Sequence, residues 1–431
     1  MPQFIHQQPI LPWEITDFII DHLHDDLSTL GVCSSVCSDW LSRSRYHIFS
    51  TVQIWPRRAG AFFALVAGKS CTFSNYITRV ELDALPPPSK SLCNTAGLTH
   101  SPAEKATGDI VDATLAFGDA IGQPHLARLA GVRSIVFRNI DWTAMTPTQQ
   151  RMLRNRLAEL VYVRKLEFID VTFHDLREVV RIVESFPELE HLKAGVAFTK
   201  YLDYAVGSAA TLPLPNQLRS LELGTESSIP VVLTSLNAQR GPQSVSTLTL
   251  KDIQAFHLPY IHSALHQGGP NMQHVSLAFG YNRKEHISAG KHWHQNFKGK
   301  NSRRRKGDFA SWINFSSLSH LQTLSISGIV LGEKKQLTAV ETCLVAALST
   351  IESSFLECIS LNLCVQTLEG LTGMSWGTLE RVLLSLHFFG MSNVRVQADV
   401  GPGLGGHDVC RGIIQRMPDL DAHGTVGHHS G

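Results

Sequence analysis

The 431-residue sequence has no excess of either charge: 38 Lys and Arg stand against 37 Asp and Glu, a formal net charge of +1. Nothing global therefore draws it to a nucleic acid or an anionic membrane, and any such attraction has to be local. Charged residues are also few, 17% against 43% hydrophobic. That balance excludes a disordered composition and leaves ample apolar material for more than one structural unit. Long apolar runs are missing. The longest near the front, AGAFFALVAG at 59–68, is about half a membrane span. The first ten residues, MPQFIHQQPI, lack the basic start and apolar stretch of a secretory leader. The expectation is a soluble intracellular protein, cytoplasmic or nuclear or both. The eight cysteines are scattered, with Cys33, Cys37, Cys343 and Cys364 at apolar-pattern positions, as reduced core thiols are. No disulfide framework is expected.

Catalytic signatures are missing too. H-E-x-x-H does not occur, and Gly68-Lys69-Ser70 lacks the earlier glycine of a phosphate loop, since position 63 is Phe63. Cys33 and Cys37, near His22 and His24, read as an i, i+4 core pair rather than zinc ligands. Gly401-Pro402-Gly403-Leu404-Gly405-Gly406 fits G-x-G-x-x-G between the strand-like VRVQADV (394–400) and the helix-like HDVCRGIIQ (407–415). Beyond Asp421 the second parallel strand that a dinucleotide site needs is missing, so this stretch reads as a connector to a last helix. No enzyme, cofactor or metal is expected.

What is present begins with LPWEITDFIIDHLHDDLSTLGVCSSVCSDWLSRSRYHIFSTV at 11–52. Pro12 suits a helix start, and a helix fits Trp13 to about Leu23. Ile15, Phe18, Ile19 and Leu23 fall on one stripe at 100° per residue, with Trp13 and Ile20 on the opposite side. Asp25 and Asp26 end this helix and cap the next, whose apolar set is Leu30, Cys33, Cys37, Trp40 and Leu41, with Val36 and Val32 beside it. The segment reads as a helical hairpin or trihelical unit. Some forty residues bury little core of their own, so the surplus apolar surface meets either a partner or the rest of the same chain.

Leu11-Pro12-x-Glu14-Ile15, Ile19-Ile20-Asp21-His22-Leu23, Cys33-Ser34-x-Val36-Cys37-x-x-Trp40 and Ser44-Arg45-x-His47-x-Phe49 resemble the F-box of many mushroom-type fungal proteins. The resemblance covers about a tenth of the chain. It implies docking on a Skp-type adaptor, and through it on a cullin ubiquitin ligase, by Leu11, Pro12, Ile15, Ile19, Ile20, Leu23, Leu30, Val36, Cys37 and Trp40. Which of these face the adaptor and which the internal core is left open by the sequence.

Downstream, the pattern apolar-x-x-apolar-x-apolar recurs ten times, each a short strand with period-2 alternation. The copies start at Ile77, Val132, Val163, Leu189, Leu218, Val245, Met272, Leu321, Leu356 and Leu379. From Ile135 to Val275 the steps are 31, 26, 29, 27 and 27 residues, with helix-like segments such as HDLREVVRIVESF (174–186) and PYIHSALHQ (259–267) between. Strand, turn and helix at such intervals make an α/β solenoid, because no unit buries its apolar face alone. The array resembles irregular leucine-rich repeats with parallel strands on the concave face. It departs from that family three residues after the last strand position, where Leu85, Ile140, Val171, Ile253 or Ile329 replaces the usual asparagine.

The expected organisation is a tail at 1–10, an F-box at 11–52, a linker helix at 53–76, the solenoid at 77–400 and a Gly/His-containing segment at 401–431. Residues between the buried strand positions line the candidate substrate surface: Arg79, Glu81, Asp83, Arg138, Lys165, Glu167, Lys193, Glu222, Thr247 and Thr249, then Ser276, Thr323, Ser325, Ser360 and Asn362. Mixed charge there suits a protein ligand better than a uniform polyanion; a merely solvated strand face has the same composition. A basic insertion loop at 281–312 carries nine Lys or Arg against one Glu within 281–306. It reads as a solvated loop, as a nuclear signal at Arg303, Arg304, Arg305 and Lys306, or as a phosphate contact. The functional expectation is a non-catalytic substrate receptor of a Skp-cullin-F-box ligase, with no membrane partner. The alternatives are a plain repeat scaffold or a nucleic-acid binder working through the insertion.

Overall fold

The structure, a computed structural model, describes residues 12–68, 71–85, 129–199, 214–224, 228–238, 244–280, 313–331, 342–387, 391–400, 404–422 and 426–427. It is an α/β protein of two compact units: residues 1–174 with 181–189, and residues 175–180 with 190–431. The division falls inside the stretch expected as one solenoid.

Three helices open the first unit: α1 (Trp13–His22), α2 (Leu27–Cys33) and α3 (Ser38–Ser50). Pro12 stands just before α1, and its carbonyl accepts from the Ile15 and Thr16 amides. Asp26 caps α2 by accepting from the Ser28 and Thr29 amides at 3.1 and 3.0 Å. The chain breaks at Ser34–Cys37, so the segment is trihelical. Cys33 is buried at the end of α2 while Cys37 is exposed before α3, so the two are not the core pair on one helix that their spacing suggested.

Strand β1 (Thr51–Ile54) follows α3 directly, then α4 (Pro56–Ala67), β2 (Arg79–Asp83), β3 (Ser134–Arg138), α5 (Pro147–Leu157) and β4 (Lys165–Phe173). The sheet thus begins at Thr51, inside the stretch expected as F-box and ahead of the expected start at 77. β1 to β4 pair in parallel and in sequential order, aligning Ile54, Leu82, Phe137 and Phe168 in one buried row. Phe137 and Phe168 stack at 5.5 Å, and Phe168 meets Phe173 edge-on at 5.4 Å. Each such side chain contributes roughly 1.5–3 kcal/mol by leaving water. Thr146 and Gln149 form a capping box at the start of α5.

Helix α6 (Leu176–Val183) is divided between the units. The second unit continues with β5 (His191–Phe198), β6 (Ser220–Leu223), α7 (Ser228–Ala238), β7 (Thr247–Ile253), α8 (Leu258–Gly268), β8 (His274–Phe279), β9 (Thr323–Leu331), α9 (342–348) and β10 (Cys358–Val365). After these come α10 (Leu368–Gly373), α11 (Trp376–His387), β11 (Asn393–Val400), α12 (Gly406–Ile414), α13 (Pro418–Ala422) and β12 (Val426–Gly427). Parallel strands in sequential order align Leu192, Leu221, Leu248, Val275, Leu324, Ile359 and Val394 in one buried ladder. The same joint recurs ahead of each strand from β6 to β11: two successive amides donate to one carbonyl of the preceding strand's approach, as Gln273 and His274 do to Ser246 at 2.8 and 2.9 Å.

Nine of the ten sequence motifs start strands; the tenth does not. Leu379-x-x-Val382-x-Leu384 lies in α11, where Leu379, Leu383 and Leu386 are buried at helical spacing and Val382 and Leu384 only half so. A three-residue step suits a helix as well as a strand approach, and here the 3.6 period wins. The last segment also differs from expectation. Val426 and Gly427 pair in parallel with Val394 and Arg395, so a two-residue second strand exists after the glycine turn. No acidic residue follows it, only HHSG, and Gly401–Gly403 lie outside the described residues. The segment is docked: Glu380 of α11 accepts from the Asp419 and Leu420 amides at 2.8 and 3.1 Å.

The missing asparagines are replaced by another device one position earlier. Asn139, Asp170, Asp252 and Gly328 all have positive φ, 54–77°, and each stands two residues past an inward strand residue: Phe137, Phe168, Leu250 or Ile326. The residue after each, Ile140, Val171, Ile253 or Ile329, is buried. The pairing register shifts by one residue at Asp252 and at Gly328, so these are bulges that turn the chain off the sheet.

Candidate functional site

Helices α1 and α2 both pack on α3, and the side chains they leave outside form the first candidate site. On α1, Thr16 and Ile20 turn inward. Asp21 fastens the helix by accepting from Nε and Nη2 of Arg43 on α3, with His47 Nε2 2.7 Å from the same carboxylate. The Arg43 hydrogen bonds, reinforced by His47, lower the Asp21 pKa from 3.8 to about 2 against the opposing effect of burial. A carboxylate with a depressed folded-state pKa stabilises fully above its unfolded value, and this stabilisation disappears as pH falls through the folded one. The helical unit is therefore expected to weaken between about pH 4 and pH 2. Asp21→Asn removes that acid-sensitive contribution and costs about 1 kcal/mol at neutral pH, allowing for the half-exposed position. Urea unfolding at pH 7 and pH 3 checks both; an unchanged pH dependence in the variant would contradict the assignment.

The inward turn of Ile20 leaves Ile15, Phe18 and Ile19 exposed at i, i+3 and i+4, with Phe18 61% exposed, so they adjoin along one helix face. Trp13 is 69% exposed, and on α2 Leu27 and Val32 face outward, followed by Val36. Seven of the sixteen large exposed hydrophobics among the described residues lie between Trp13 and Val36.

The ten residues expected to bind an adaptor thus sort into classes. Pro12, Ile15, Ile19, Val36 and Cys37 are exposed, and Leu23 and Trp40 are half-buried. Ile20 and Leu30 are fully buried, which places them in the core rather than at a contact surface. Leu11 lies outside the described residues. Trp13, Phe18, Leu27 and Val32 join the exposed set. Phe18 was visible as part of the α1 stripe and Val32 beside the apolar set of the second helix, whereas Leu27 declares itself only once Leu30 and Cys33 are known to fill the inner side of α2.

The strand faces form the second candidate site. In the first unit Arg79 pairs with Glu81 at 2.8 Å and with Glu167 at 3.1 Å, Lys165 pairs with Glu167 at 3.0 Å, and Arg138 lies 3.9 Å from Asp83. Asp83 also accepts from Asn139 and Gln53. Burial alone would raise the Glu167 pKa, but the Lys165 hydrogen bond and the Arg79 and Lys165 charges outweigh it and lower it. Three cations meet three carboxylates, so the expected substrate residues Arg79, Glu81, Arg138, Lys165 and Glu167 are engaged with one another.

In the second unit Lys193 and Lys251 share Glu222 at 3.1 and 2.7 Å. Burial opposes ionisation of Glu222, and the two lysines overcome it and lower its pKa. From Glu222 the register runs straight across the sheet through Thr249, Ser276, Ser325 and Ser360 to Arg395. A parallel row runs through Thr247, His274, Thr323 and Cys358, with His274 Nδ1 2.9 Å from the Thr323 hydroxyl. Burial raises the Cys358 pKa although Arg395 pulls the other way, so this thiol is kept from its nucleophilic form.

No family model matches the chain, and no curated protein matches it. Among solved structures, one of a protein from Bacteroides fragilis is 12% identical, with a TM-score of 0.35 over 70% of this chain and 72% of that one.

Among the described residues there is no group of three or more His, Cys, Asp or Glu arranged to hold a metal ion. No described helix is long and apolar enough to cross a membrane. The insertion at 281–312, with Arg303, Arg304, Arg305 and Lys306, lies outside the described residues.

Proposed function

We propose that this chain is a substrate-recognition subunit of a Skp-cullin-F-box ubiquitin ligase, with 12–50 as the F-box and the parallel-strand region, a leucine-rich-repeat-like array, as the arm that selects a protein. The observation that carries the reading is the outward apolar set on α1 and α2, Ile15, Phe18, Ile19, Leu27 and Val32, on a trihelical unit whose sequence resembles the F-box. Such surface on a soluble unit is stabilised by a partner. The chain would make no bond itself. It would hold a substrate beside a ligase-bound conjugate, so that transfer becomes effectively intramolecular, and it would work in the cytoplasm or nucleus, where such ligases act.

Co-expression with a Skp-type adaptor followed by size-exclusion chromatography at moderate salt tests the proposal. A stable one-to-one complex is the expected result. Absence of a complex from folded protein would overturn it and return the chain to a repeat scaffold.

A further inference from the structure

We infer that the strand face of the second unit docks an extended acidic peptide lying across the strands, its carboxylates held by Lys251 at one end and Arg395 at the other. This rests on reading the repeat region as the substrate-selecting arm and names the chemistry it selects. Among the described residues the strand face of the first unit is neutral and closed: each of Arg79, Lys165 and Arg138 already lies beside a carboxylate.

The second unit differs on both counts. Lys193 and Lys251 share the single carboxylate of Glu222, which leaves one positive charge uncompensated. Arg395 is exposed and makes no ion pair among the described residues. Between the two ends the register presents short hydroxyls, Thr249, Ser276, Ser325 and Ser360. Each is half-buried, so none stands high enough to block a chain laid over it. Hydroxyls donate and accept, as the N–H and C=O groups of an extended peptide require.

Spacing narrows the ligand further. Lys251 is on β7 and Arg395 on β11, four strand intervals apart, or about 19 Å at ~4.8 Å per interval. An extended peptide covers that in about six residues. The complementary ligand therefore carries acidic side chains about six positions apart with small or polar residues between. A nucleic acid, with a charge every ~1.7 Å of duplex, calls for a much denser row of cations than these two.

Fluorescence anisotropy on the full chain tests this. The probe is a labelled peptide with two Glu-Glu pairs separated by five Ala and Thr residues, compared with its Gln-for-Glu counterpart and with a peptide in which the pairs are adjacent. The spaced acidic peptide is expected to bind about tenfold tighter than either control, less so as salt rises. Arg395→Ala and Lys251→Ala should each reverse most of that advantage, while Arg151→Ala on α5 should not. Equal binding of the Gln peptide, or an unchanged affinity in Arg395→Ala with an unchanged melting temperature, would overturn the inference. Adaptor binding by the same sample separates the two proposals. A chain that holds the adaptor and ignores the acidic peptide defeats only this inference; one that binds the peptide and no adaptor defeats only the ligase assignment.

Discussion

Phe18→Asp is expected to weaken adaptor binding by at least about 30-fold, equivalent to about 2 kcal/mol, while leaving the free chain folded. Both halves follow from one observation. Phe18 is 61% exposed and touches its own unit mainly through the His22 ring, 4.5 Å away and edge-on, so its replacement removes little internal packing and stays within roughly 0.5 kcal/mol of wild-type stability. In a complex the same position would lie between Ile15 and Ile19, where an aspartate would be a buried, unpaired charge, and central aromatic anchors of interfaces commonly cost 2 kcal/mol or more on removal. Met152→Asp on α5, an equally apolar but remote exposed position, is the control and should bind normally. Titration of the adaptor by calorimetry, with circular dichroism on the free variants, reads both quantities. Normal binding by Phe18→Asp would remove α1 from the interface and with it the main support for the assignment.

Much of the fold was legible because burial on one sheet face imposes period two. Nine strand starts could be read from three apolar positions each, and helices such as α6 and α8 from their amphipathic spacing. The failures share a physical origin. Thr51-Val52-Gln53-Ile54 offers only two inward residues, Val52 and Ile54, too few to show a period, so β1 passed as the end of the helical segment. Leu379 to Leu384 fits strand and helix alike until the neighbours of Leu383 and Leu386 are known. The positive-φ turns at Asn139, Asp170, Asp252 and Gly328 depend on tolerance of the left-handed region, which Asn, Asp and Gly share. A search for asparagine alone, one position too late, missed all four.

The candidate sites divide in the same way. Amphipathic spacing found the outward stripe of α1 because it is local. Pairings such as Arg79 with Glu167 span 88 positions and exist only through the register of β2, β3 and β4, so the strand-face charges looked free in the sequence and are engaged in the structure. The row from Thr249 to Arg395 is also a product of register. Its residues were mostly named, yet nothing in their spacing along the chain reveals that they lie in one line.

Gly328→Ala carries the largest expected loss of stability, about 3 kcal/mol or more. Two effects act at one atom. A Cβ at φ 77° sits in the left-handed region, costing an alanine roughly 1–2 kcal/mol, and it would stand 2.1 Å from the Phe279 carbonyl oxygen and 3.0 Å from its carbon. Those are backbone atoms of the paired strand β8, so no side chain can rotate away. Relief requires β8 and β9 to part where the register already shifts, at a cost comparable to overpacking a core, roughly 1–3 kcal/mol. In a domain of this size that corresponds to a melting temperature lower by roughly 5–10 °C. Asp252 occupies the equivalent place in β7 with φ 54°, and Asp252→Gly should change stability by less than about 0.5 kcal/mol, since strain relief offsets the added chain entropy. Thermal unfolding of the two variants checks the bulge as a repeated device. A Gly328→Ala protein that melts with wild type would mean that the chain leaves β9 by a different turn.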